Sequence, residues 1–132
     1  MPALAQMKLL VNLARVDGKV AIRERNYIVN IGRANGLYPD EIEPLFDQKH
    51  EPVVPEGLTA DQKFEYIYSL VQLMKIDERM YKEEMQFCSD IANKLGYRKE
   101  VLIELMLEVK ANEMQEYEMN TLKRLINKYL IK

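Results

Sequence analysis

The chain has 132 residues, of which 48% are hydrophobic and 30% charged, with a net charge of −2; that is enough for one domain with a real core and no need of staples. Residues 1–60 carry 7 basic and 8 acidic groups and residues 61–132 carry 12 and 13, so neither half offers an electrostatic footprint for nucleic acid. The single cysteine, Cys88, excludes an internal disulfide, the first residues carry no charged leader or cleavage pattern, and Lys8 interrupts the first uncharged run; the expectation is a cytoplasmic protein that spans no membrane.

Leu4, Met7, Leu10, Val11 and Ala14 recur at helical spacing, with Leu9 and Leu13 widening the stripe, and predict a broadly buried helix over about 2–15. An acidic turn follows, Val16-Asp17-Gly18-Lys19-Val20. A second helix is predicted over about 22–35, with Tyr27, Ile28, Ile31 and Ala34 inward and Asn35-Gly36 as its stop. Pro39 suits a first helical turn, so a third helix is expected over about 39–48 with Ile42, Leu45 and Phe46 inward, distorted at Pro44. Residues 49–58 are the linker-like run, and their His50 reads as a solvated loop residue.

Thr59-Ala60-Asp61-Gln62 is a capping box that opens a fourth helix over about 60–75, carrying Phe64, Ile67, Tyr68, Leu70, Val71, Leu73 and Met74. A second acidic turn, Ile76-Asp77-Glu78-Arg79-Met80, leads into a fifth helix over about 82–95, with Phe87, Cys88, Ile91 and Leu95 inward and Gly96 as its stop. A sixth helix is predicted over about 98–110 and a seventh over about 113–131, the last facing inward with Met114, Tyr117, Leu122, Leu125, Ile126 and Tyr129. No stretch alternates as a strand would.

Sliding residues 10–46 onto 70–106 without a gap gives 8 identities in 37 positions, where ordinary composition gives about two by chance. Leu10, Val11, Leu13, Asp17, Glu24, Ile31, Gly36 and Leu45 each meet their like. The expected fold is therefore all-α, a helical bundle of about seven helices built from two related three-helix halves plus a C-terminal helix, all in one domain.

The apolar helix running into Val16-Asp17-Gly18-Lys19-Val20, then Glu24, Ile31 and Gly36, resembles the TerB-like family, named for tellurite-resistance operons. The second copy departs from the pattern at Glu78, where the first has Gly18. The resemblance covers about residues 4–110 and implies an all-α bundle of two related halves. It further implies a bacterial cytoplasmic domain tied to tellurite or stress response, with its acidic residues as candidates for a bound metal.

Two readings of Asp17, Glu24, Asp77 and Glu84 stand side by side. Each Glu lies three and four residues before inner-face positions, so both carboxylates point toward the core. With Ala21 or Tyr81 at the N-cap, each Glu falls at N3 and can accept from the N-cap amide, while each Asp makes an Asx-type turn. Alternatively, the four carboxylates hold a divalent cation of the Ca/Mg type, with waters completing the shell. The spacing is not that of an EF-hand, and no Cys/His cluster exists for zinc. Ser69 and Ser89 sit in no nucleophile motif, and Cys88 reads as a buried helix residue.

The expected function is a non-enzymatic binding or interaction module with a protein partner and no cofactor, or at most a weakly bound divalent cation; the alternative is a metal-binding protein or a small metal-dependent stress enzyme. Self-association into a homo-oligomer stays open.

Overall fold

The computed structural model describes residues 2–16, 20–76, 82–110 and 114–131. Its seven α-helices are α1 Pro2–Ala14, α2 Ile22–Ala34, α3 Pro39–Ile42, α4 Ala60–Ile76, α5 Lys82–Lys94, α6 Val101–Glu108 and α7 Glu116–Asn127, with a 3-10 turn, Glu43–Asp47, continuing α3. The chain is thus the all-α bundle its periodicity predicts, and among the described residues the sole β feature is an isolated bridge between Tyr97 and Leu130.

Helix α4 is the centre. Every residue from 66 to 74 is buried, and the helix packs on α1, α2, α5, α6 and α7. A helix apolar around most of its circumference finds enough partners only in that position. Helix α1 lies against it and is nearly as buried, through Met7, Leu9, Leu10, Val11, Leu13 and Ala14. At about 1.5–3 kcal/mol for each large apolar side chain taken from water, these two helices supply much of the driving force.

The offset of sixty reappears in three dimensions. Helices α2 and α5 begin and end at matching positions. Both close on a left-handed glycine, Gly36 at φ 87° and Gly96 at φ 92°. The amides after them bond back alike, Leu37 N–H to Gly32 O at 2.9 Å and Tyr97 N–H to Ala92 O at 3.0 Å, the pattern of a Schellman stop. Helix contacts are paired as well: α1 with α2 matches α4 with α5, α1 with α5 matches α4 with α2, and α2 with α3 matches α5 with α6. The α1–α4 contact maps onto itself, as packing about a pseudo-twofold axis requires.

Several boundaries differ from the sequence reading, each for a local reason. The third helix is not continuous over 39–48: Pro44 lacks the amide that an α-turn needs, and the chain tightens to 3-10 geometry from Glu43. The sixth helix starts at Val101 rather than near 98, because the segment before it is a tight turn closed by i→i+3 bonds, Val101 N–H to Arg98 O at 3.0 Å and Leu102 N–H to Lys99 O at 3.2 Å. The seventh ends at Asn127 rather than near 131. Beyond it the chain folds back, and Ile131 N–H reaches Gly96 O at 2.6 Å. Tyr117, expected inward, is 71% exposed, and Ala34 at the end of α2 is exposed too.

Candidate functional site

Of the four acidic residues, Asp17 and Asp77 lie outside the described residues. Glu24 and Glu84 are 3% and 2% exposed, so both carboxylates do point inward from the first turns of α2 and α5. Glu24 Oε1 accepts from the Ala21 amide at 3.0 Å, which is the N3-to-N-cap half of a capping box.

The same bond recurs where no site is in question. Glu41 accepts from Tyr38 N–H at 3.0 Å and Glu118 from Gln115 N–H at 2.9 Å. Gln62 accepts from Thr59 N–H at 2.9 Å while Thr59 Oγ1 accepts from Gln62 N–H at 3.1 Å. Reaching back from N3 is this chain's ordinary way of closing a helix start, and Glu24 performs it from inside. Glu84 sits close enough to Cys88 to help lift its thiol, though burial is the larger cause, and together they push it up to about 12. A thiol held protonated in the core is no nucleophile at neutral pH.

Glu24 and Glu84, the described part of the donor set, do not make a metal centre on their own. Among the described residues no group of three His, Cys, Asp or Glu side chains is placed to hold a metal ion. Glu24 and Glu84 supply too few oxygens for calcium, which takes six to eight, and one oxygen of Glu24 already serves the helix start.

The cations at the ends of α1 and α4 each reach backbone carbonyls far along the chain. Arg15 Nη1 donates to Gln48 O at 2.7 Å and Phe46 O at 3.3 Å. Lys75, its counterpart sixty residues on, donates to Val109 O. Each half thus uses a cation from the end of its first helix to hold the carbonyls that end its third. Arg25 pairs with Glu43 and lies over the Phe46 ring at 4.4 Å. No sequence signal marked these roles beyond the Arg15/Lys75 correspondence itself.

Compared with protein-family models, with curated proteins and with solved structures, the chain matches none.

A polar layer, missed in the sequence, crosses the core between the halves. Gln6 Nε2 on α1 donates to Ser69 Oγ at 3.0 Å, and Ser69 Oγ donates to Tyr66 O at 2.9 Å. Tyr27 O–H on α2 donates to Gln72 Oε1 at 2.8 Å, and Gln72 Nε2 donates to Tyr68 Oη at 2.9 Å and Lys110 O at 3.0 Å. Burial, with Tyr68 and Glu65 adding to it, holds the Tyr27 hydroxyl far above the ordinary tyrosine range. The layer joins α1, α2, α4 and the segment after α6. Ser69 is buried and occupied as donor and acceptor within it.

A cleft of about 650 Å³, open to solvent, runs between α1 and the linker and is lined by Leu4, Ala5, Lys8, His50, Val53 and Glu56 among others. His50 is not a free loop residue. It is half-buried, and its Nε2 donates to Leu45 O at 2.9 Å. Neither Glu24 nor Glu84 borders this cleft. No helix among the described residues is long and apolar enough to cross a membrane.

Proposed function

We propose that the chain is a non-enzymatic binding module of the TerB-like kind that works in the bacterial cytoplasm through a protein partner and serves tellurite or stress response. The observation that carries the reading is the use made of Glu24: a buried carboxylate spent on its own helix start, as Glu41 and Glu118 are spent on theirs. A catalytic centre gathers polar groups in a concave site, whereas here the broad cleft lies apart from Glu24 and Glu84.

The competing reading, a Ca/Mg-type site or metal-dependent enzyme, is separated by thermal unfolding with and without millimolar calcium or magnesium. A cation at one hundred times its dissociation constant stabilises by about 2.7 kcal/mol, several degrees for a domain of this size. The expected result is no shift, in the wild type and in Glu24→Gln alike. A rise of several degrees that Glu24→Gln or Asp17→Asn abolishes overturns the module reading.

A further inference from the structure

The pairing of the two halves leaves one helix over. Helix α1 packs on α2, α4, α5 and the 3-10 turn, while its counterpart α4 packs on α5, α1, α2 and α6. These four neighbours match one for one. Helix α4 has a fifth, α7, and no packed element beside α1 corresponds to it among the described residues. The path of the chain accounts for the difference. In the second half α7 starts at Glu116; just past the matching Glu56, the first half turns at Gly57, φ 77°, and leaves for α4.

The place is marked on α1 by the residues that match those under α7. Phe64 on α4 is fully buried, with Lys123 Nζ of α7 at 5.5 Å from its ring centre, and Tyr68, one turn on, is 7% exposed. Sixty residues earlier stand Leu4 and Lys8, both only half-buried, and with Ala5 they line the cleft of about 650 Å³. The cleft therefore lies where an equivalent of α7 would rest. Charge distinguishes the two places. Lys123 pairs with Asp61 at 3.3 Å, and its charge also reaches Glu65. Where α4 has Glu65, α1 has Ala5; where α4 has Tyr68, α1 has Lys8, the sole charged residue of that helix. Lys8 has no ion-pair partner among the described residues. The opposite wall carries Lys49, His50, Glu51 and Glu56, and Lys94 is tied to Pro52 O beside them; that mixture selects neither sign.

We propose that this cleft docks an amphipathic helix of a partner protein, seated on α1 as α7 is on α4, with a carboxylate where α7 has Lys123. The inference rests on the reading of the chain as a binding module and names the surface and the partner's chemistry. Aliphatic side chains spaced as Leu122 and Ile126 are would cover Leu4, Ala5 and Val53. The carboxylate, set beside Ala5, lies within one helical turn of Lys8. The α7 of a second copy fits less well: its Leu122 and Ile126 are already buried in their own bundle, and its Lys123 would face Lys8.

The probe is a synthetic peptide of residues 114–131, once as it stands and once with Lys123→Glu. A covalent link between positions 120 and 124, which face solvent in α7, holds it helical, since so short a helix is marginal alone. Each peptide is titrated into the whole protein and followed by amide chemical shifts. Perturbations are expected along α1 and residues 49–56, with the glutamate peptide binding about twofold to fivefold tighter. Lys8→Glu should reverse that order. Val53→Ser should weaken both peptides about threefold or more, and Leu107→Ser, on the exposed side of α6, should change neither. The proposal is overturned if neither peptide perturbs α1 at millimolar concentration, if the perturbations fall on α4 and α6 instead, or if Lys8→Glu leaves the order unchanged. It is also overturned if sedimentation shows a wild-type dimer that Val53→Lys dissociates, since the occupant is then a second copy. Any of these results leaves the module reading standing. A cation-dependent rise in unfolding temperature defeats the module reading whatever the peptides do.

Discussion

Gly32, buried on α2, is where the two directions of a substitution can be weighed. Gly32→Ala gains about 1 kcal/mol of helix propensity. Against that, the new Cβ would lie 2.4 Å from Ile42 Cδ1, 3.0 Å from Ile42 Cγ1 and 3.2 Å from Met7 Sδ. Ile42 and Met7 are both fully buried, so neither can swing into solvent, and overpacking of this kind costs about 1–3 kcal/mol. The net expectation is a loss of about 1 kcal/mol, or a fall of about 3–5 °C in Tm. Ile42→Val removes the clashing methyl. Alone it should cost about 1 kcal/mol; in the Gly32→Ala background it should cost almost nothing, a coupling of about 1 kcal/mol. Urea unfolding at constant m measures all four corners of the cycle. The second half suggests that relief is possible, because Ala92 occupies the matching buried position with Leu102 where the first half has Ile42. If Gly32→Ala stabilises the protein, or if the two changes simply add, the steric reasoning is wrong.

The alkaline limb of stability should be steep. Burial raises the Tyr27 hydroxyl far above its ordinary range and pushes Cys88 and Tyr97 to about 12. The unfolded chain loses those protons first, so stability is full below about pH 9, the ordinary thiol value, and falls as pH climbs from there through 12. Cys88→Ala should shallow that fall in chemical denaturation at graded pH, as should Tyr27→Phe, which at neutral pH also costs about 1–2 kcal/mol by orphaning its partner on Gln72. Native Cys88 should react with an aromatic disulfide reagent only as fast as the core opens; prompt reaction would contradict its burial. Arg15→Met and Lys75→Met should each lower stability by about 1–2 kcal/mol, while exposed Arg33→Met should stay within about 0.5 kcal/mol.

How much of this could be read in the residues depended on whether the interaction was local. Helix stops at Asn35-Gly36 and Gly96, the Thr59–Gln62 box and the disturbance at Pro44 are decided within a few residues, and each is found where the sequence places it. The inward aim of Glu24 and Glu84 followed from helical spacing alone. Gln6, Ser69 and Gln72 did not read as core, because a polar residue inside an apolar stripe gains its partner only from how helices cross. Arg15 and Lys75 likewise answer to carbonyls more than thirty residues away. Tyr117 looked buried by period, yet α7 begins only at Glu116, and its inward face is set by Leu122 and Ile126.

The return of the chain after α7 makes the molecule a convenient witness to its own opening. Ile131 gives its amide to Gly96, and Arg98 gives its amide to Tyr129, so one strap is fastened from both sides. Detaching it exposes the two amides together, one on the strap and one on the body. Hydrogen exchange at Arg98 therefore reads the free energy of an excursion made by the far end of the chain, and agreement between its protection and that of Ile131 distinguishes a hinged release of the strap from independent fraying at either end.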